Sequence, residues 1–337
     1  MTDLERRRVL AALGGSAAFG WCHRTVLAAT PDPSAAPSIR LGLLKFGSVG
    51  WQFDVINRHG LDRAAGIGIE IVELASTQAT LVALQAGRVD VVVSDLLWVA
   101  RQRASGADWS FVPYSSALGA VEVPARSPLH SLDDLAGRRL GIAGGPLDKS
   151  WLLLRLLSRR RTGKDIDALV EKVFGAPPLL AERFTEGRLD AILTYWQFAA
   201  RLEAKGARRL LGMDEVMTEL GIAEPVPLVG YVLSEGWARR NGAATASFFR
   251  ACRDADEILA KSDDEWRVIA PLTGAADGAE LERLRDAFRR GIPRGADGVY
   301  RAAAERLYAL FAAIGGEALV GPSATLPPGT FLDGLGS

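Results

Sequence analysis

Histidine and cysteine are scarce in this chain, which holds three histidines and two cysteines among 337 residues. So few imidazole and thiol groups leave little material for a metal site or for a nucleophile paired with a basic histidine. The 40 basic and 40 acidic residues cancel, and no footprint for nucleic acid is visible. We therefore expect no metal, no cofactor and no nucleic-acid partner.

Long apolar runs are missing as well. The run Val9–Phe19 is shorter than the roughly 20 residues that a membrane-spanning helix needs. Arginines 6–8 precede it and Ala28–Ala29 follow it, which is the pattern of a signal peptide over residues 1–29. The arginine pair also allows twin-arginine export, and the alternative is a disordered basic tail. We expect an exported protein with its location in the periplasm, and a flexible leader over residues 30–38.

The two cysteines do not indicate a disulfide. Cys22 could be lipidated, but Trp21 is bulky at a position where lipoprotein signals carry a small residue. Cleavage near Ala29 would leave Cys252 as the last thiol, on a helical run where core packing explains it.

One segment occurs twice, 100 positions apart: Leu84–Val99 and Phe184–Ala199. Each copy closes a helix at a glycine, makes a polar turn and continues into an apolar run of strand length. The spacing is too long for a solenoid repeat, so it indicates two similar α/β lobes. The matching positions are Gly87 and Gly187, Arg88 and Arg188, Asp90 and Asp190, and Ser94 and Thr194. We interpret the aspartates as turn residues and the arginines as their solvated partners.

The order of elements predicts an α/β fold with two mostly parallel sheets flanked by helices. Strand-like runs near Val123 and Val226 predict two crossings between the lobes, with a hinge between them. Lobe 1 would comprise residues 39–122 and 227–337, and lobe 2 residues 123–226. After Ser234 the pattern is helix upon helix, which predicts a helical C-terminal tail.

Five segments in order carry a resemblance to a known family: IRLGLLKFGSVG, GLDRAAGIGIEIVEL, LQAGRVDVVVSD, SPLHSLDDLAGRRLGIAGG and FTEGRLDAILTYWQF. This pattern resembles the periplasmic solute-binding proteins of ABC transporters, in the nitrate/taurine/alkanesulfonate group that shares its fold with thiamine-pyrimidine binding proteins. Arg138 stands where the group usually has lysine, and the KFGSVGWQF loop departs from the usual first loop. The resemblance implies the two-lobed type II binding-protein fold, and a monomeric receptor that closes over a small solute, organic and anionic or aromatic, and delivers it to an inner-membrane permease.

Ligands of open parallel sheets bind at the carboxyl ends of strands, and in this sequence those positions are rich in aromatic and polar side chains. Aromatic faces bind flat or cationic groups. The candidate ligand-binding residues are Lys45, Phe46, Trp51, Thr77, Gln78, Ser94, Asp95, Trp98, Gly145, Lys149, Tyr195, Trp196 and Tyr231.

Several of these positions allow a second interpretation. Trp51 and Trp151, early in helices, fit either the core or the site. Asp95 either neutralises a cationic ligand or caps the following helix. The glycine turn of Gly144–Ser150 could hold an anion on free backbone amides, although such turns are common.

Three classes of function follow. A binding receptor needs no catalytic group, and neither His59 nor His130 has a partner at a recognisable spacing. An enzyme on the same scaffold, similar to a pyrimidine synthase, would use a cysteine-rich segment that this chain lacks. A sensory receptor would pass its ligand state to a membrane partner. Metal cargo would require Asp54, Asp95 and Asp148 to converge.

Overall fold

Strand-length apolar runs alternate with helices and build two five-stranded sheets. The structure is a computed structural model, and it describes residues 36–45, 47–294 and 297–334. The predicted signal peptide, residues 30–35 of the leader and Phe46 lie outside the described residues.

Ten strands form the sheets. In chain order they are β1 (Ser38–Leu44), β2 (Gly68–Leu74), β3 (Val91–Asp95), β4 (Trp109–Ser115), β5 (Ala120–Val123), β6 (Arg139–Ala143), β7 (Glu171–Gly175), β8 (Ala191–Thr194), β9 (Arg208–Gly212) and β10 (Val229–Ser234). The apolar runs predict repeat strands over Val89–Val93 and Leu189–Leu193, and β3 and β8 begin two residues later than this.

The two sheets have equivalent strand orders, β2-β1-β3-β10-β4 and β7-β6-β8-β5-β9. In each sheet the first three strands are parallel, and one antiparallel strand, β10 or β5, lies between the repeat strand and the edge. The doubled sequence segment therefore corresponds to a doubled sheet.

Helices flank both sheets. They are α1 (Val49–His59), α2 (Leu61–Ala64), α3 (Thr77–Gln85), α4 (Leu96–Ala104), α5 (Lys149–Thr162), α6 (Pro177–Thr185), α7 (Trp196–Ala204), α8 (Met213–Glu219), α9 (Glu235–Arg240), α10 (Gly242–Lys261), α11 (Asp263–Thr273), α12 (Gly278–Gly291) and α13 (Asp297–Val320). The last of these is interrupted at Gly316, whose backbone is not helical.

The repeated aspartates bind residues of a neighbouring strand, and not the arginines that stand near them in the sequence. The Asp90 carboxylate accepts bonds from the backbone amide of Arg40 at 2.9 Å and from its guanidinium at 2.7 and 3.0 Å. Asp190 does the same for Arg139, at 2.8, 3.0 and 3.2 Å. The expected pairing with Arg88 and Arg188 is wrong, because the true partners lie about 50 residues away in the neighbouring strand.

The chain crosses from one sheet to the other twice, between β4 and β5 and again between α8 and β10. Each sheet therefore forms the centre of one lobe. Helices of the C-terminal tail contact both lobes, since α13 packs against α4 and α5, while α12 packs against α7. The exact limits of the lobes, at residues 122 and 226, stay a prediction.

Within the residues that the structure describes, no helix is both long enough and apolar enough to cross a membrane.

Candidate ligand-binding site between the lobes

Side chains that follow strands of the two sheets meet between the lobes, and we call the space around them the crevice. The Lys149 ammonium, at the first residue of α5 in the second lobe, lies 3.9 Å from a carboxylate oxygen of Asp95, the last residue of β3 in the first. Each side chain is 32% exposed. A pair at this distance is a loose contact that a solute carrying charge can replace.

Asp95 is also the N-cap of α4. Its other carboxylate oxygen accepts a hydrogen bond from the Trp98 amide at 2.9 Å, as an N-cap does. The two interpretations of Asp95 are therefore compatible: one oxygen caps the helix and the other faces the crevice.

Two amides at the start of α5, which follows the glycine turn, already have a partner within the chain. One carboxylate oxygen of Asp148 accepts bonds from the amides of Ser150 and Trp151 at 3.0 and 3.2 Å. Burial raises the pKa of Asp148, and the two amides and the Lys149 charge oppose that shift. The chain therefore supplies its own carboxylate to these two amides, and anion binding elsewhere in the turn stays a prediction.

Among the candidate aromatic residues that the structure describes, Tyr195 is the one exposed to solvent, at 39%. A Cβ atom placed on Gly144 would lie 3.1 Å from the Tyr195 hydroxyl and 3.2 Å from a carboxylate oxygen of Asp148. Burial, followed by the charge of Asp148, raises the pKa of the Tyr195 phenol. Gly144, with a φ of 92°, thus leaves room for a phenol and a carboxylate to converge on the crevice.

Three of the predicted aromatic residues are mainly packed against other side chains. Trp51 is 5% exposed, and its indole nitrogen donates to the Leu272 carbonyl at 3.3 Å. Tyr231 is 2% exposed and donates its hydroxyl proton to the Gln52 amide oxygen. Trp196 is half-buried and meets Trp51 edge-on, with ring centroids 6.1 Å apart.

These positions favour the core interpretation of Trp51 and Tyr231. Trp151, which is fully buried, also belongs to the core. The contact of Trp51 with Trp196 differs, since it joins α1 of the first lobe to α7 of the second.

Of the other candidates, Gly145 belongs to the second lobe and the rest to the first. Thr77 and Gln78 are exposed in the first turn of α3, whose N-cap is Ser76. Ser94 is buried at 6% exposure near the end of β3. Lys45 is exposed, and Trp98 and Gly145 are half-buried. Their ligand roles stay predictions.

The sequence interpretation missed Asp148 as a site residue, except as one of three oxygen ligands for a metal. The signal was present, because an aspartate directly before a helix start is a preferred N-cap. Across the part of the chain that the structure describes, no group of three or more histidine, cysteine, aspartate or glutamate residues is arranged to hold a metal ion. What the crevice offers is an ammonium, two carboxylates and a phenol.

Comparisons with known proteins give a family and a fold. The sequence matches the family described as NMT1/THI5 like over residues 57–265, more than half of the chain. No curated protein sequence matches it.

Among solved structures, the chain is similar to the aliphatic sulphonate binding protein SsuA of Escherichia coli, with 19% identity and a TM-score of 0.69 over 89% of this chain and 98% of that one. SsuA of Xanthomonas axonopodis pv. citri, bound to MOPS, has 21% identity and a TM-score of 0.64 over 87% and 97%. The desulfurization enzyme DSZB is also similar, with 17% identity and a TM-score of 0.59 over 87% and 97%. These likenesses establish the two-lobed fold of periplasmic binding proteins.

Proposed function

Because the chain belongs to the NMT1/THI5 like family, we propose that it is a solute-binding receptor that closes its two lobes over a small organic solute. The receptor would work in the periplasm and deliver the solute to an ABC permease in the inner membrane. The E. coli and Xanthomonas proteins with the same fold are described as sulfonate-binding proteins, which supports this class of function.

The observation that carries the proposal is the contact between Lys149 and Asp95. It places opposite charges from two lobes on either side of one crevice, 3.9 Å apart. Tyr195 is exposed, and its hydroxyl lies close to Gly144 and to Asp148, the residue before Lys149. An aromatic or other flat solute would stack on Tyr195 while its acid group meets Lys149.

The alternative is an enzyme on the same scaffold. DSZB shares the fold, and fold alone does not assign an activity. Cys252 does not favour this alternative, because burial raises the pKa of its thiol well above the ordinary value and the group is 4% exposed. A reactive cysteine needs a lowered pKa and access to its substrate.

The proposal is tested by screening the full chain for thermal stabilisation with alkanesulfonates, nitrate, aromatic carboxylates, thiamine-like pyrimidines and divalent metal ions. Titration calorimetry would then measure the dissociation constant of each stabilising compound. We expect one organic class to bind and to be recovered chemically unchanged by mass spectrometry after incubation. Conversion of the compound would favour the enzyme, and a complete lack of saturable binding would overturn the receptor proposal.

A sensory receptor would bind in the same way. Reconstitution with a permease and its ATPase distinguishes the two, since only a transport receptor stimulates ATP hydrolysis when loaded with solute.

A further inference from the structure

A cavity lies against both crossings of the chain. It has a volume of 660 Å³ and is bounded by Ser116–Leu118 of the first crossing, Ile222–Val226 before the second, helix α8 and the end of α12. We call it the hinge cavity. Its size falls within the usual range for small-molecule sites, about 300–1,000 Å³.

Part of the wall is apolar. Met217, Ile222 and Val226 are buried side chains that face the cavity, and Trp196 and Leu118 are half-buried at its edge. This surface suits the hydrocarbon or aromatic body of a ligand.

Two arginines, one from each side, face the same space. Arg209, on β9, is held from behind by Glu203 at 2.7 Å, and its guanidinium lies 3.7 Å from the buried carboxylate of Glu122. Arg290, in the last turn of α12, is exposed. Within residues 36–45, 47–294 and 297–334, Arg290 has no hydrogen-bond or ion-pair partner.

The acidic residues of the wall are largely neutralised. Glu219 pairs with Arg161, and Glu224 pairs with Arg306 at 2.6 Å. Asp214 and Glu215 lie in the first turn of α8, whose N-cap Gly212 makes no side-chain bond. The partial positive charge at a helix N-terminus favours carboxylates at these two positions.

Arg290 also lies at the junction of two smaller cavities. One is lined further by Arg289 and Arg294, and the other by Arg208 and Arg283. The unpaired guanidinium therefore lies where the local positive charge accumulates. A planar guanidinium of this kind binds carboxylates through two parallel hydrogen bonds.

We propose that the hinge cavity is a binding site for a small organic carboxylate with an apolar body. Arg290 holds the carboxylate, and the apolar part packs against Met217, Ile222 and the Trp196 ring. The ligand touches both crossings, because Ser116–Leu118 and Ile222–Val226 both line the cavity. Binding there influences the movement of the lobes without occupying the crevice between Asp95 and Lys149.

Calorimetric titration of the full chain with benzoate tests this site. We expect saturable binding to the unaltered protein, a dissociation constant at least tenfold higher for Arg290→Ala, and no binding for Arg290→Glu. Arg267→Ala is the matched control, because Arg267 is 72% exposed on α11 and pairs locally with Asp264; its affinity should not change. Benzylammonium, of similar shape and opposite charge, should not bind.

Lys149→Met separates this site from the crevice. Benzoate binding should survive this substitution, and its loss would place benzoate in the crevice and overturn the hinge site. Equal affinities of the unaltered protein and of Arg290→Ala would overturn it too, as would the absence of saturable binding. Because Arg290 is exposed, its variants should melt at the same temperature as the unaltered chain, which excludes misfolding as the cause. Loss of benzoate binding in Lys149→Met would support a solute site between the lobes, whereas equal affinities of the unaltered protein and Arg290→Ala would leave the receptor proposal untouched.

Discussion

At the scale of single residues, Asp148 and Asp95 both cap helices beside the crevice, and they differ in their contact with a cation. Asp148 uses one oxygen for the first amides of α5, and Asp95 uses one for the start of α4. Only Asp95 also meets a cation, Lys149, across the crevice. Substitutions of Lys149 and Asp95 should therefore reveal the sign of the charge that the solute carries.

Lys149→Met should weaken the binding of an anionic solute about tenfold, which corresponds to about 1.4 kcal/mol. Asp95→Asn is the matched variant, since asparagine caps a helix as well as aspartate does. We expect Asp95→Asn to keep the melting temperature and to leave the affinity for an anion unchanged or higher, because Lys149 loses its competing partner. Calorimetry on both variants measures this. A loss of affinity confined to Asp95→Asn would mean that the solute is cationic.

Glu122 is the most unusual carboxyl group in the second lobe. It is fully buried on β5, and neither of its oxygens makes a hydrogen bond. Burial, together with the nearby Glu203 of α7, raises the pKa of Glu122 to about 8, while the charges of Arg209 and Arg208 on β9 oppose this. The folded state therefore holds this proton more tightly than the unfolded state, whose value is near 4.5.

A raised pKa in the folded state contributes stability at low pH that is lost as the pH rises from about 4.5 to about 8. Glu122→Gln should remove this loss, because glutamine stays neutral in the same space. We expect the variant to melt at a higher temperature than the unaltered protein at pH 9, and the difference to shrink toward pH 5. Calorimetric melting across this range measures it. An equal pH dependence in both proteins would mean that Glu122 is not protonated in the folded state.

At the scale of elements, the first crossing depends on a glycine. Gly119 lies directly before β5, and a Cβ atom there would overlap the backbone carbonyl oxygen of Thr194 at the end of β8. A backbone atom in a sheet cannot move aside as a flexible side chain can. The close approach of these two segments therefore requires a residue without a side chain.

Gly119→Ala should destabilise the protein by more than 2 kcal/mol, within the range known for overpacking. Gly242→Ala is the control, because a Cβ atom at Gly242 meets no atom within 4 Å and alanine favours the start of α10. Denaturant unfolding would measure both changes. Equal stabilities would show that β5 and β8 separate at little cost.

The sequence predicted elements with strong hydrophobic periodicity well, and it did not predict the short strand β9 and the short helix α8. The strand β2 coincides with the pattern predicted over Gly68–Leu74, and α10 and α12 each begin one residue before the helices predicted over Ala243–Lys261 and Ala279–Gly291. β9 and α8 were not predicted at all. Their segments are short, five and seven residues, and β9 exists because β5 pairs with it. A partner about 90 residues away leaves no local pattern to detect.

The candidate site, too, contains residues that could be predicted from the sequence and residues that could not. Residues that directly end a strand or cap a helix, such as Asp95, were predictable from position. The burial of Tyr231 was not, because it results from packing against Phe53, Phe248 and Phe249, which come from other parts of the chain. The hinge cavity was also invisible, since α12 reaches it only through the folding of the C-terminal tail.

At the scale of the whole molecule, the lobes are joined by more than their two crossings. Arg201, on α7 of the second lobe, pairs with Glu280 of α12 and donates to the carbonyls of Thr273 at 2.7 Å and Gly274 at 3.1 Å. Glu280 is 5% exposed and Arg201 is 26% exposed, so the carboxylate of this ion pair is nearly closed to water. Together with the contact between Trp51 and Trp196 it connects the lobes beside the crevice.

This connection should set the balance between open and closed forms. Arg201→Met leaves a buried carboxylate unpaired, which is costly, so the contact between α7 and α12 should weaken. We expect a larger radius of gyration in small-angle scattering without solute and weaker solute binding, because closure must then be driven by the solute alone. Adding saturating solute should restore the radius of gyration of the unaltered, loaded protein.

The double variant Arg201→Met with Glu280→Gln separates closure from charge burial. It removes the unpaired carboxylate, so its melting temperature should recover toward that of the unaltered protein, while the bonds to the Thr273 and Gly274 carbonyls stay lost. If those bonds hold the lobes together, the double variant remains more open than the unaltered chain despite its recovered stability. A radius of gyration that is identical in all three proteins, with and without solute, would mean that α7 and α12 form a fixed joint and that the lobes do not move there.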